Sequence, residues 1–144
     1  MKPPDPVGLY ESYRQLDRLV ALSAISSAQN GELITGKVGR DFDLATARKA
    51  AQRAAANLLA VLMEAVDGDL DQVEGMLFVR GFVNATDDFP SVHKVIDAAS
   101  ELIIEQLGER GRHARTALGC ATLPNNNAVT LEAIAVVRER PALP

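Results

Sequence analysis

Arg115 is the residue of this sequence whose type and setting most clearly allow chemistry. It follows the basic loop 110–113 and begins a predicted strand, and one face of that strand carries only small neighbours: Ala117, Gly119 and Ala121. The small neighbours leave space beside the guanidinium, whose planar fork of donors matches a carboxylate. The spacing fits a carboxylate-binding site. It also fits an arginine at a strand end that pairs with an acidic residue across an interface, and the residues alone leave both open.

Other reactive residue types are scattered along the chain. His93 and His113 lie in different predicted elements, without Cys, Asp or Glu at metal-ligand spacing, so we expect no metal site. Cys120 is the single cysteine. Its predicted strand setting favours a packed thiol over a nucleophile, and no disulfide can form within the chain.

A glycine-rich segment, residues 31–37, matches the first part of the phosphate-binding pattern GxxxxGK[ST]. Val38 stands where that pattern needs a hydroxyl for magnesium, and no helix follows at once. We therefore interpret the segment as a loop.

Composition limits the class of protein. The chain has 144 residues, a formal net charge of −4 and 47% hydrophobic residues, as expected for one globular domain. The acidic balance disfavours general nucleic-acid binding. No stretch is long and apolar enough to be a membrane span or a signal core. We expect a single domain over residues 1–144, located in the cytoplasm.

The hydrophobic pattern predicts the order β-β-α-β-α-β-β. Strand-type patterns cover residues 19–24, the vicinity of Leu33 and Ile34, and residues 73–83, 114–122 and 129–137. Asn30-Gly31 is a hairpin-type turn signal. One helix starts at an Asp43 N-cap, runs to about Val66 and is stopped by Gly68; a second is capped by Asp87 or Asp88, carries Pro90 in its first turn and ends at Gly108.

Two helices can cover only one face of such a sheet. Several predicted strands are nevertheless apolar on both faces. Because a soluble monomer does not tolerate a large bare apolar face, the pattern predicts that the chain associates with copies of itself.

The sequence resembles the YjgF/RidA family, also known as L-PSP endoribonuclease-like proteins. The strongest part of the resemblance is residues 111–119, followed by Leu123-Pro124 and the Glu132-Ala133-Ile134-Ala135 strand. Residues 36–39, 81–84 and 88–89 resemble one branch of the family, and residues 6–10 resemble its N-terminal motif. The resemblance extends from about Pro6 to Val137.

The resemblance implies an α+β, chorismate-mutase-like domain whose sheet carries two helices on one face. It also implies a homotrimer with a central barrel and ligand clefts between subunits. Active members of the family hydrolyse enamines and 2-imino acids to 2-keto acids and ammonia, without a cofactor.

Residue by residue, Arg115 stands at the family's carboxylate-binding arginine and Tyr10 at a tyrosine of the same cleft. Ser23 stands at the serine of an S-G-Q motif, with Ala24 and Ile25 in place of its glycine and glutamine. Two further substitutions concern the chemistry.

Thr130 replaces the glutamate thought to position the attacking water, and Ala117 replaces a cysteine. Glu132 matches a second glutamate that is commonly structural. We predict Arg115 and Thr130 as catalytic candidates, and Arg115, Tyr10, Ser23, Glu132 and Cys120 as ligand-binding residues.

Two functions follow as hypotheses. One is a trimer that binds a small carboxylate-bearing metabolite in an intersubunit cleft without turnover. The other is an enamine/imine deaminase. Thr130 can hold a water but is no general base at neutral pH, which favours the first. RNA cleavage is disfavoured by the acidic balance and the scarcity of stacking aromatics.

Overall fold

A computed structural model describes residues 2–139 of the chain. Its strands and helices follow the predicted order: β1 (Tyr13–Leu16), β2 (Leu19–Ser26), α1 (Leu44–Ala65), β3 (Val73–Asn84), α2 (Val92–Leu107), β4 (Ala114–Cys120) and β5 (Val129–Val137). The strands form one sheet in the order β1-β2-β5-β3-β4, in which only the β3–β4 pair is parallel. The single-domain prediction also included Met1 and residues 140–144, which lie outside the described residues.

The first hairpin differs from the one predicted. β1 precedes the apolar run of β2, and the two are joined by a turn at Asp17, which has φ 53°. The predicted strand at Leu33 and Ile34 is wrong. Asn30 and Gly31 do form a tight turn, with φ of 53° and 79°, but Gly36 at φ 109° ends the extended backbone soon afterwards. The turn closes only an isolated bridge.

Helix α1 begins and ends close to the prediction. The Asp43 carboxylate accepts a hydrogen bond from the Thr46 backbone N–H at 2.9 Å, which holds the pKa of that carboxyl below its usual range. The helix ends at Ala65, shortly before Gly68 at φ 86°. Its buried stripe is mostly small: Ala47, Ala50, Ala51, Ala54, Ala55, Leu58 and Leu62. Small side chains let the helix axis lie close to the sheet.

Helix α2 starts later than predicted. Its N-cap is Ser91, not Asp87 or Asp88, and Pro90 precedes the helix. The reason is local, since a proline disfavours helical backbone at the residue before it, here Phe89. Gly108, at φ 63°, ends α2 as predicted.

Both helices pack on one face of the sheet, α1 against β2 and β5 and α2 against β3 and β4. The strand register places a second set of side chains on the opposite face: Leu16, Leu19, Phe78, Arg80, Phe82, Thr116, Leu118, Thr130, Glu132, Ile134 and Val136. We call this set the uncovered face. A bulge between Met76 and Phe78 shifts the simple alternation expected for β3.

Gly81 is required for the approach of α2 to β3. A Cβ atom at this position would lie 2.4 Å from Cδ1 and 2.6 Å from Cγ1 of Ile96, which is fully buried. The absence of a side chain at Gly81 therefore allows α2 to lie this close to β3.

We expect Gly81→Ala to destabilise the fold by about 1–3 kcal/mol, because the added methyl overpacks a close-packed core. Gly75→Ala on the same strand is the matched control, since its Cβ would meet only a backbone oxygen at 3.6 Å, an ordinary contact. Urea unfolding at one fixed protein concentration measures both. Equal midpoints for the two variants would contradict this account, and Ile96→Val should relieve part of the effect of Gly81→Ala.

Candidate functional site

A cleft of about 340 Å³ lies beside the second half of β2, beyond Tyr13, where β1 begins. It collects three of the predicted site residues, Tyr10, Ser23 and Thr130, together with Ala24 and Ile25. Other walls come from the N-terminal arm, residues 4–7, from the segment after β4 that contains Pro124, Asn125 and Asn127, and from the loop that follows β2. Sequence positions more than a hundred residues apart are thus brought to one site by the β2–β5 pairing.

The N-terminal arm is fixed by its own turn. The Tyr10 hydroxyl accepts a hydrogen bond from the Val7 backbone N–H at 3.3 Å, and the Tyr10 N–H donates to the Gly8 carbonyl at 3.0 Å. Pro3 is buried, whereas Val7 and Leu9 are exposed. The arm therefore forms one wall of the cleft and presents apolar side chains outward.

Ser23 ties this arm to the sheet. Its hydroxyl donates to the Glu11 carbonyl at 2.6 Å, and its backbone N–H donates to the Ser12 carbonyl at 2.9 Å. The β-bulge between Leu22 and Ile25 gives the chain the extra residue that turns this segment toward the arm. The Ser23 proton is already used, so its hydroxyl offers the cleft only an acceptor.

Thr130 is positioned by Asn127, which was not identified from the sequence. The Asn127 amide is 3% exposed, and its nitrogen donates to the Thr130 hydroxyl at 2.7 Å and to the Val129 carbonyl at 2.6 Å. Its oxygen accepts from the Ser27 hydroxyl at 3.2 Å. The signal in the sequence is the Asn125-Asn126-Asn127 run, whose composition is typical of a turn and does not indicate a buried positioning role. Asn125 and Asn126 do adopt φ of 56° there.

Glu132 and Cys120 lie outside the lining of this cleft. The Glu132 carboxylate accepts a hydrogen bond from Arg80 at 2.6 Å on the uncovered face, and the Arg80 guanidinium lies 5.3 Å from the Phe78 ring centre. Cys120 is half-buried and aligns with Asn84 of β3. Within one protomer, Glu132 neutralises an arginine.

Arg115 lies on the other side of the sheet. It aligns with Val79 and therefore points to the face that α2 covers. Its Nη1 donates to the Asp97 carboxylate at 2.8 Å and to the Ser100 hydroxyl at 3.2 Å. His113 Nε2 lies 2.9 Å from the same hydroxyl. The space that the small strand neighbours suggested is thus partly filled by polar side chains of α2.

One protomer cannot bring Arg115 and Thr130 onto one small ligand. β3 separates β4 from β5, and Val79, the partner of Arg115, pairs with Ala133, three residues from Thr130. Strand spacing and rise place the two backbones about 14 Å apart. Their side chains also point to opposite faces.

The contacts of Lys37 give the glycine-rich segment, residues 31–37, a structural role. Its ammonium donates to the Asn84 side-chain oxygen at 2.7 Å and to the Ala121 carbonyl. These contacts join the ends of β3 and β4, so the lysine holds the chain that leads toward Asn127. No helix begins at Val38, as expected for a loop and not for a phosphate cradle.

Within residues 2–139, no three His, Cys, Asp or Glu side chains group closely enough to hold a metal ion. Asp41 has a lowered pKa, mainly because Arg40 donates hydrogen bonds to its carboxylate, and it does not line the cleft. In the same part of the chain, no helix is long and apolar enough to cross a membrane.

Comparison with known proteins gives consistent matches over most of the chain. Residues 5–137 match the family described as "YjgF/chorismate mutase-like, putative endoribonuclease". The crystal structure of the protein Atu1372, of unknown function, from Agrobacterium tumefaciens is 38% identical with a TM-score of 0.89, over 93% of this chain and 86% of that one.

Two curated relatives are also similar. Protein TCP17 of Trypanosoma cruzi is 39% identical over 72% of this chain, and the match spans 65% of its own length. The 2-iminobutanoate/2-iminopropanoate deaminase of Dermatophagoides farinae is 28% identical over 93% of this chain and 90% of its own length. The family match covers nearly all of the described residues, and with the five-stranded mixed sheet and its two helices it shows that the chain belongs to the YjgF/chorismate mutase-like family.

Proposed function

We propose that this protein binds a small carboxylate-bearing metabolite in a cleft completed by a second copy of the chain, within a homotrimer. One observation carries the proposal. No Lys, Arg or His is among the described residues that line the Tyr10–Ser23–Thr130 cleft. The arginine that the family resemblance assigns to the ligand carboxylate lies on the opposite face, next to the edge of the sheet. A neighbouring protomer can supply it.

The contacts of Arg115 support an anchoring role. Asp97 and Ser100 engage Nη1, while Nη2 has only a long contact of 3.4 Å to the His93 carbonyl. Across residues 2–139, Nε has no hydrogen-bond partner. The edge formed by Nε and Nη2 therefore remains able to bind a carboxylate with two parallel hydrogen bonds. Asp97 then acts as a brace that orients the guanidinium.

The uncovered face supports the homotrimer. Its exposed apolar side chains include Leu16, Leu19, Leu118 and Ile134, with Phe78, Phe82 and Val136 half-buried among them. Apolar area of this kind is stabilised by burial against another surface. Three copies that enclose these faces in a central barrel would also bring the edge strand β4 of one copy near the cleft of the next.

Enamine/imine deaminase activity is the second candidate. The similarity to the Dermatophagoides farinae deaminase favours it. Hydrolysis of an imine needs a base or a carboxylate to accept a proton from the attacking water. Thr130, Ala24 and Ile25 provide no such group. Among the described lining residues the one carboxylate is that of Asp5, which lies 3.7 Å from the Lys2 ammonium.

RNA cleavage, which the family description mentions, gains no support from this cleft. Binding of a phosphodiester backbone relies on Lys and Arg side chains. The described lining contains none.

The oligomer is tested by light scattering. We expect a mass of three times 15.4 kDa. Ile134→Glu should shift the population to monomers, because it places a charge in the apolar part of the uncovered face. Gln52→Glu, on the exposed side of α1, is the matched control and should leave the trimer intact. A wild-type monomer would refute the shared cleft.

The proposed role of Arg115 in binding the ligand carboxylate is tested by calorimetric titration with pyruvate and propanoate. We expect Arg115→Ala to weaken the binding of both acids at least tenfold, since it removes a charge-assisted pair of hydrogen bonds. Arg112→Ala is the control, because Arg112 is exposed and its side chain pairs with Glu109, away from the cleft. Unchanged affinity in a folded, trimeric Arg115→Ala protein would exclude this residue as the anchor.

Turnover is tested by generating 2-imino acids with an amino-acid oxidase and trapping the remaining imine with semicarbazide. For a binding protein we expect the wild type to leave the trapped product unchanged relative to buffer. If the wild type lowers the trapped product and Arg115→Ala does not, deaminase activity replaces binding as the function.

A further inference from the structure

The loop between α2 and β4, residues 108–113, is held in place although its sequence is rich in glycine and charge. Arg110 donates from Nη1 to the Val73 carbonyl at 2.6 Å, so its charge attaches the loop to the start of β3. Gly111 is buried, and a Cβ atom there would lie 2.6 Å from the Ile103 carbonyl oxygen of α2. These contacts fix the position of the Gly111 carbonyl.

The Gly111 carbonyl determines which nitrogen of the His113 ring carries the proton. A carbonyl can only accept a hydrogen bond, so the Nδ1 atom that lies 2.6 Å from it must be protonated. In the neutral imidazole, Nε2 is then an acceptor, and it lies 2.9 Å from the Ser100 hydroxyl. The hydroxyl therefore donates its proton to Nε2, which leaves the lone pairs of its oxygen for another partner.

That partner is Arg115. Its Nη1 donates to the Ser100 oxygen at 3.2 Å and to the Asp97 carboxylate at 2.8 Å. Asp97 and Ser100 are three residues apart on α2 and therefore lie on one face of the helix. Both N–H bonds of Nη1 lie in the plane of the guanidinium, so two acceptors fix that plane, whereas one acceptor would let it turn. Hydrogen bonds are thus donated in one direction, from Arg115 through Ser100 to His113.

The ring of His113 keeps the Ser100 hydroxyl in this orientation. A serine within a helix can otherwise donate to the backbone carbonyl one turn earlier, here that of Ile96. An acceptor at Nε2 draws the proton away from the helix and keeps a lone pair directed at Arg115. Without that acceptor, the second contact that fixes the guanidinium plane is weakened.

We propose that His113 is a positioning residue of the ligand site, which acts through Ser100 to fix the plane of the Arg115 guanidinium. A carboxylate forms two parallel hydrogen bonds only with a guanidinium edge that lies in its own plane. The edge formed by Nε and Nη2 is set in this way before a ligand arrives. Loss of the His113 ring therefore weakens the binding of every carboxylate alike. The inference rests on the proposed binding function.

The protonated nitrogen of His113 is tested without any ligand, by NMR of protein with ¹⁵N-labelled histidines. At alkaline pH, where a free imidazole is neutral, we expect the His113 ring to carry its proton on Nδ1. The His93 ring is the internal reference, because it is exposed and has no hydrogen-bond partner among residues 2–139. We expect it to exchange between both tautomers. A His113 ring protonated on Nε2 would overturn the inference.

The positioning role is tested by calorimetric titration of the trimer with pyruvate and with propanoate. We expect Ser100→Ala and His113→Leu to weaken the binding of both acids by the same factor, about threefold to tenfold, the range for one neutral hydrogen bond. His113→Gln should restore most of the affinity, because its amide oxygen can accept near the place of Nε2. His93→Leu is the matched control and should keep the wild-type affinity.

The outcomes separate the two proposals. Failure of both acids to bind the wild type would overturn the proposed function. If the wild type binds them, unchanged affinity in folded, trimeric Ser100→Ala or His113→Leu protein would overturn the positioning role alone. A His113→Gln protein as weak as His113→Leu would also overturn it, since the ring would then matter for its shape and not for its acceptor.

Discussion

A five-stranded sheet that has two helices on one side must leave its other side bare, and the rest of this molecule depends on that constraint. On the covered side, small residues are required where the helices contact the strands. The alanine stripe of α1 and the missing side chain of Gly81 let the helices lie close to the strands. On the uncovered face, exposed apolar side chains flank an Arg80–Glu132 ion pair. A charged pair that is 42% and 34% exposed in one chain is partly solvated, and assembly would remove water from it.

The residues of the candidate site also lie on opposite faces of this sheet. β4 is parallel to β3, and its register turns Arg115 toward α2. Thr130 points away from the helices. The guanidinium and the cleft to which the proposed function assigns one ligand therefore exist in one chain but cannot meet there. Association of copies would then create the site as well as bury the sheet, so that binding and assembly would depend on the same surface.

Local sequence was enough to predict the helices, most strands and the turn at Asn30-Gly31, because those features depend on caps, periodicity and backbone preference over a few residues. It failed at the first hairpin, since β1 is a short polar strand that is ordered by its pairing with β2. It also failed to identify Asn127, whose role arises from contacts with Ser27, a hundred residues away. The family resemblance identified Tyr10, Ser23 and Thr130 as candidates for one site. It did not predict the ion pair between Asp97 and Arg115, because that contact depends on the packing of α2 on β4, which no short motif encodes.

Replacement of a carboxylate by a hydroxyl changes more than the charge of a cleft. A carboxylate can take a proton from an attacking water and return it to the nitrogen that leaves, and both transfers are needed when a carbon–nitrogen double bond is hydrolysed. A hydroxyl whose oxygen accepts one hydrogen bond from a buried amide keeps one lone pair and one proton, but it is no base at neutral pH. The Asn127–Thr130 pair therefore gives the cleft a hydrogen-bonding group where a hydrolase would need a base, which agrees with the proposed binding function. Binding without hydrolysis, as proposed, would then follow from the neutral side chain of Thr130 in the cleft.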